Sequence, residues 1–298
     1  MLDLRRLRLL RELARRGTIA AVAEALSYSP SAVSQQLATL EKEAGVRLLE
    51  PSGRRVRLTA QAELLVAHAQ VLLEEMERTE AALAQSLNET VGTLRVAAFQ
   101  TAVLALVPPA LSELEPRHPS LRVEVTELEP DRAYPALVAG EFDLILGEEY
   151  PGFPLPRSRE TERHDLFADE LRLVIPATWP GPSLPALASR PFAMEPRATT
   201  AREWSTAVCR RAGFEPDVRY TSTDLQVHLR LVESGLAAAL LPDLSGAARH
   251  PGVAAHRLPG RPRRQVFTTI RHGSAADPRI QALTTALQSN RPAEPGSD

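Results

Sequence analysis

Apolar residues recur at three-to-four spacing three times in the opening stretch of the chain, and each recurrence is bracketed by helix-capping chemistry. Leu7, Leu10, Leu13 and Ala14 form one stripe across Leu4–Arg16, which stops at Gly17, a natural C-cap. Thr18 caps a second helix in which Ile19, Val22, Ala23 and Leu26 share a face. After a turn at Ser27-Tyr28-Ser29, Ser29 caps a third helix with Pro30 at its first position, where a missing N–H costs nothing. Val33, Leu37 and Leu40 are its apolar stripe, and Gly45 ends it. The opposite face presents Ser31, Ser34, Gln35 and Thr39. These are short or amide side chains where an ordinary solvated helix would carry glutamates and lysines.

Residues 46–49 and 54–58 read as two short strands around Pro51-Ser52-Gly53, a tight turn flanked by Arg54 and Arg55, that is, a basic wing. Thr59 then caps an uninterrupted helical pattern to about residue 88, with Leu65, Ala69, Leu72, Met76, Thr79 and Leu83 at four-three spacing. At roughly 1.5 Å per residue this is about 40 Å of helix. Packing onto the preceding helices accounts for its first two turns only, so Leu65, Leu72, Met76 and Leu83 are read as a dimerisation stripe. From Gly92 the texture changes to alternating strands and helices, the mark of a mainly parallel α/β architecture. Strands are expected at 94–99, 121–126, 142–146, 171–175, 218–221, 237–241 and 266–270, and helices at 101–117, 200–212, 224–233 and 278–288. Residues 150–164 read as a Pro-rich crossover, and 290–298 as a disordered tail.

Composition narrows what this arrangement can do. The 298 residues are 44% hydrophobic, enough for several cores, but only 4% aromatic, which argues against base stacking on single-stranded nucleic acid or RNA. Net charge is -2, unevenly spread. Residues 1–60 hold eleven basic side chains against six acidic ones, whereas 61–91 hold Arg78 against six glutamates. Only the first sixty residues therefore look made for phosphate. The N-terminus has three arginines in its first ten residues and no membrane-spanning apolar run, so the chain is read as cytoplasmic with no membrane partner. Cys209 is the single cysteine, read as a buried small hydrophobe. The seven histidines are scattered without metal-ligand spacing, and there is neither a G-x-S-x-G elbow nor a phosphate-binding loop. An enzyme is not expected, nor a metal or other cofactor.

Residues 27–50, SYSPSAVSQQLATLEKEAGVRLLE, followed by GRRVRLT at 53–59, resemble the DNA-binding region of LysR-type transcriptional regulators. GTLRVAAF at 92–99, LVAGEFDLIL at 137–146 and VESGLAAALLP at 232–242 are similar to segments of that family's effector domain. Leu48-Leu49-Glu50-Pro51 departs from the family's Leu-Phe-x-Arg, removing one phosphate contact, and Ala238 replaces a frequent glycine. The resemblance implies a winged helix-turn-helix over 1–59, a linker helix over 60–89, and a bilobal, periplasmic-binding-protein-like α/β effector domain over 92–289. Lobe one would comprise 92–162 and 271–289, and lobe two 163–270. It also implies a homodimer, with tetramers made of two dimers.

On this reading Ser31, Ser34, Gln35 and Thr39 enter the major groove of double-stranded DNA, where short hydrogen-bonding side chains can read base edges. Gln35 would bridge an adenine and Pro30 touch a thymine methyl, while Ser29, Arg54 and Arg55 would contact phosphates. Two lobes create a cleft, and ligands in such folds sit at strand carboxyl ends and helix N-termini. Gln100 and Thr101 occupy the first position, and Arg197, Thr199, Thr200 and Arg202 the second, where a small carboxylate-bearing effector is expected. Ordinary capping by Thr199 or Thr200 beside solvated arginines reads these residues equally well. A solute-binding protein, or a winged-helix regulator of another family, is the alternative for the whole chain.

Overall fold

The computed structural model describes residues 1–26, 28–52, 55–87, 89–180 and 183–292, with Arg55 by its backbone alone. Ser27, Gly53, Arg54, the Arg55 side chain and the tail 293–298 lie outside the described residues.

Helices α1 (Leu4–Arg16), α2 (Ile19–Ala25) and α3 (Pro30–Ala44) form as their caps dictate. The Thr18 hydroxyl accepts from the Ala21 N–H and the Ser29 hydroxyl from the Ala32 N–H, while Gly17 and Gly45 close α1 and α3 at φ 73° and 69°. Leu7, Leu10, Leu13, Val22, Ala23, Val33, Leu37 and Leu40 meet in one core. Ala14, expected on the α1 stripe, is exposed, and Leu9 is buried instead. The wing strands β1 (Leu49–Ser52) and β2 (Arg55–Leu58) pair antiparallel, Leu49 opposite Leu58. β1 starts three residues later than the apolar pattern suggests. The cause is Glu41, whose carboxylate accepts the Leu48 and Leu49 N–H groups (2.8 and 3.0 Å) and keeps 46–48 out of the strand. Helix α4 (Ala60–Gln85) follows, capped by Thr59.

The remainder runs β3 (Gly92–Ala98), α5 (Gln100–Ala105), α6 (Val107–Arg117), β4 (Leu121–Glu127), α7 (Pro130–Ala139), β5 (Leu144–Glu149), β6 (Thr161–Pro176), β7 (Pro191–Met194), α8 (Thr200–Arg211), β8 (Asp217–Thr221), α9 (Leu225–Glu233), β9 (Ala239–Pro242), β10 (Val253–Arg257), β11 (Arg263–Arg271) and α10 (Pro278–Ser289). The main sheet has the order β10-β6-β11-β5-β3-β4, with β9 also on β6, and β7 and β8 pair separately. The expectation of a mainly parallel sheet is corrected here. Among the strands of the described residues, β3 with β4 and β5, and β7 with β8, run parallel, whereas β11 lies antiparallel to both β5 and β6. The long strand β6 leaves the first lobe and β11 returns to it, so the two run in opposite directions where they pair.

Other departures have equally local causes. The single helix expected over 101–117 is two, because Pro108 and Pro109 fit the first turn of α6 but cannot continue α5. Helix α7 escaped the pattern because Pro130 and Pro135 mask it, and β7 and β10 because they are short. β6 begins inside the segment read as a crossover. Asn290, placed in the tail by composition, donates to Glu113 at 2.7 Å. Cys209 is buried as expected, among Phe192, Trp204 and Val208.

Two lobes thus hang on β6 and β11. In the first, Leu94, Val96, Leu144, Leu146 and Val266 pack under α5, α6 and α10, while Ala97 and Ile145 on the other face meet Ala133 and Leu137 of α7. In the second, Leu171, Leu173 and Ile175 face α8, and Val174, Ala239 and Leu241 face α9. At the crossing lies Arg264, 1% exposed. Its Nε and Nη2 donate to Asp169 (2.9 and 2.8 Å), Nη2 also to Thr101 (2.7 Å) and Nη1 to Glu148. Removing one partner of such a cluster strands the others in low dielectric. Arg264→Leu is expected to cost about 3–5 kcal/mol, read as a lower urea midpoint of the full chain; an unchanged midpoint would refute the cluster's role.

Candidate nucleic-acid interface and effector cleft

The buried stripe of α3 turns the remaining face outward. Pro30, Ser31, Ser34 and Gln35 are exposed, and Thr39 is half-buried with its hydroxyl donating to the Gln35 carbonyl at 2.9 Å. Ser29 holds the N-cap, with its hydroxyl 3.0 Å from that of Ser31. Gln36, one step round, is consumed by Arg6 Nε (2.9 Å), and Arg6 also pairs with Glu43 (2.5 Å), fixing α3 on α1. The Gln35 amide makes no hydrogen bond among the described residues, so its donor and acceptor are available to a base edge. Tyr28, half-exposed just before the cap, belongs to the same surface and was not singled out from sequence.

Basic charge is divided differently from the simple count over residues 1–60. Arg11 Nη2 donates to the Val138 carbonyl (2.9 Å) and Arg16 Nη2 to the Pro135 carbonyl (3.3 Å), both on α7. Arg11, Arg15 and Arg16 also surround the fully buried Glu12 at 2.9 to 3.3 Å, and Arg15 reaches Glu160 at 3.6 Å. These arginines bind the chain's own effector domain rather than phosphate. In the wing, Glu50 pairs with Arg57 at 2.9 Å, so the acidic departure from the expected wing motif has a basic neighbour of its own.

Along α4, Leu65 is half-buried against the helical core, whereas Leu72, Met76 and Leu83 are exposed. Leu64, Val71 and Leu87 extend this apolar surface.

Between the lobes, Gln100 donates to Asp224 (2.7 Å) and accepts from the Leu225 N–H (2.8 Å), clipping the first turn of α5 to the N-terminus of α9. Thr101 is buried on Arg264. Thr199 caps α8, Arg202 donates to the Glu195 carbonyl (3.1 Å), Thr200 is half-buried and Arg197 is exposed. Ala198, at φ 70°, makes the strained turn into α8. Sequence reasoning missed the acids that face these groups, Glu129, Glu148 and Glu195, because they come from three different segments of the chain. Burial pushes Glu195 up to about 8, assisted by the negative charges of Glu148 and Glu129. Burial likewise raises Glu129 and Glu148. The cavity beside Glu195 and His228 measures only about 10 Å³.

Residues 4–63 match the bacterial regulatory helix-turn-helix of the lysR family, and residues 87–291 match the LysR substrate binding domain. The chain belongs to the LysR family. Among relatives, the probable HTH-type transcriptional regulator LrrA of Synechococcus elongatus is 30% identical, covering 98% of each chain. A probable hydrogen peroxide-inducible genes activator of Mycobacterium avium is 29% identical over 88% of this chain and 85% of its own. A full-length OxyR variant of Pseudomonas aeruginosa shares the fold at a TM-score of 0.66, with 23% identity over 97% and 95% of the two chains. Full-length CbnR bound to its target DNA matches at 0.54 and 24% identity, over 97% of this chain and all of that one.

This LysR-type chain is therefore a DNA-binding transcriptional regulator with an effector-binding domain, not an enzyme. Among the described residues no helix is long and apolar enough to cross a membrane.

The crowded acids make a pH prediction. Glu195 is protonated more readily in the folded state, at about 8 against an ordinary 4.5. Folding then holds the extra proton between those values, so this group's contribution to stability is complete at acid pH and lost as pH rises through that window. Glu195→Gln, always neutral, is expected to flatten the fall in melting temperature between pH 5 and 8. A variant whose pH profile parallels the native one would count against the buried acid.

Proposed function

We propose that this regulator dimerises through α4, in dimers or pairs of dimers, and binds an imperfectly palindromic duplex site, with one α3 per half-site in the major groove. The observation that carries this reading is the outward face of α3, where Ser31, Ser34 and Gln35 stand exposed above buried Val33, Leu37 and Leu40. Short polar side chains on a rigidly packed helix suit base-edge recognition. The dimer rests on α4, whose exposed Leu72, Met76 and Leu83 lie four and then seven residues apart.

The effector, on this proposal, is a small carboxylate held between the lobes. Arg197 supports it, being exposed at the start of α8 with no ion pair among the described residues, where helix N–H groups favour an anion. Glu129 and Glu148 oppose any second negative charge, and Glu195, held protonated at neutral pH, offers a hydrogen-bond donor, so the rest of that effector is neutral or cationic. Peroxide sensing by an internal disulfide, as the name of one relative invites, is disfavoured: Cys209 is the single cysteine, and burial pushes its thiol up to about 12.

Two measurements test this. In gel-shift titrations, Gln35→Ala is expected to lose about 1–3 kcal/mol at one base pair of the site while leaving binding to random DNA unchanged. Equal losses on both would reject α3 as the reader. Leu72→Glu with Met76→Glu is expected to sediment as a monomer; an unaltered sedimentation coefficient would move the dimer contact elsewhere.

A further inference from the structure

A sizeable concavity among the described residues lies away from the interlobe cleft. It lies in lobe one, on the sheet face covered by α7, and encloses roughly 590 Å³ between α7 on one side and residues 155–158 on the other. Side chains alternate across a sheet, so its floor residues Ile145, Gly147, Phe267 and Thr269 point away from the face that carries Glu148 and Arg264. The cavity and the Arg264 cluster are separated by the thickness of the sheet.

Its construction is specific. Gly147 sits where a Cβ would come within 2.5 Å of the Phe267 ring, so only glycine lets that ring lie flat on the floor. Arg163 stacks on the same ring, 3.7 Å from its centre. Pro130, Pro135, Leu155 and Pro156 supply apolar walls. The wall at 155 is tied down by the Leu155 N–H donating to Glu149 at 2.9 Å. Tyr134 and Thr161 meet hydroxyl to hydroxyl at 2.6 Å within the cavity. Two hydroxyls own two hydrogens, and one is used between them; the other O–H remains for a guest.

Charge selects the class of guest. Arg163 already holds Glu149 (2.9 Å) and Asp165 (2.7 Å), and at the rim Arg157 faces Glu149 at 3.8 Å while Asp131 adds a further acid. An anion finds no uncommitted guanidinium inside, and a cation must displace Arg163 from Phe267. The volume falls in the range of small-molecule sites, which are mostly apolar with a few converging polar groups.

We propose that this cavity is a second small-molecule site, distinct from the interlobe cleft, which takes a neutral aromatic compound bearing one hydroxyl or carbonyl that bonds to the Tyr134–Thr161 pair. Its position gives it consequence. Pro135 forms part of its wall, and the Pro135 carbonyl is the one that accepts from Arg16 of the DNA-binding head.

The test uses the full chain and two probes of like shape, 2-naphthol and 2-naphthoate, in isothermal titration calorimetry. 2-Naphthol is expected to bind saturably, one per chain, at least tenfold more tightly than 2-naphthoate. Tyr134→Phe, which keeps the ring and removes the hydroxyl, is expected to weaken it three- to tenfold. Thr269→Phe is expected to fill the floor and abolish it; should that variant not fold by circular dichroism, Tyr134→Phe decides alone. Gln100→Ala, in the interlobe cleft, is expected to leave 2-naphthol binding unchanged. The proposal is overturned if native protein does not bind 2-naphthol, if 2-naphthoate binds as well, if Tyr134→Phe binds as the native chain does, or if Gln100→Ala abolishes binding. It is also overturned if 2-naphthol binds only after Leu72→Glu with Met76→Glu dissociates the protein, since a second copy would then be the occupant.

Discussion

Everything the effector domain does must be reconciled with one buried arginine. Arg264 carries its charge at the crossing of β6 and β11, and Asp169 and Glu148 hold it above the ordinary guanidinium range against the cost of burial. Asp169 also accepts the Leu244 N–H of the second lobe at 3.2 Å, and Thr101 joins from the first turn of α5 in the first. A cluster of this kind adds little net stability over an apolar replacement of the same shape, but it tolerates few geometries. Its effect here is to specify how two lobes, each with its own aliphatic core, meet. The Gln100 clip onto Asp224 and Leu225 is the lighter, more accessible part of the same closure. An effector that parts the lobes therefore works against the clip first and the arginine cluster last.

A second set of arginines solves a different problem. Arg8, Arg11 and Arg16 of α1 converge on the C-terminal turn of α7, where unsatisfied carbonyls carry the negative end of the helix dipole. Burial and the neighbouring charges of Arg11 and Arg271 push the Arg8 guanidinium down. Arg8 nonetheless fits because Gly140 leaves it room: a Cβ there would collide with its Nη2. A linear count of charge places these arginines in the segment that looks made for phosphate. On the proposed reading, phosphate contact falls to residues other than these, and recognition depends more on the α3 face than the composition implied.

That error shows where the sequence is legible and where it is not. The three-helix head could be read almost residue by residue, because caps at Thr18 and Ser29, stops at Gly17 and Gly45, and the stripe Val33–Leu37–Leu40 are all local signals. The alternation of elements after Gly92 was legible for the same reason. Strand direction was not, since the antiparallel return of β11 depends on which lobe the chain has reached, and α7 was hidden by its prolines. The candidate site divides along the same line. Ser34 and Gln35 stand out as odd residues on a helix face, but Glu148, Asp169, Glu195 and Arg264 are ordinary charged residues far apart in the chain. Only folding brings them together.

The attachment of the head follows from the same geometry. α1 is held to α7 by Arg11 and Arg16, and α4 to the end of β11 by Arg271, which donates to Glu77 at 2.6 Å and to Asp143 at 3.1 Å. The two points flank the C-terminal turn of α7, so the head cannot rotate about either alone. α7 thus links lobe one to α1, and β11 links the crossing strands to α4. Both contacts end on helices, α1 and α4. A ligand alters the presentation of α3 only by binding one of these arrangements more tightly than another, and its coupling to DNA is bounded by that difference. A site that shares Pro135 with the α1 contact has the shortest path over which to express it.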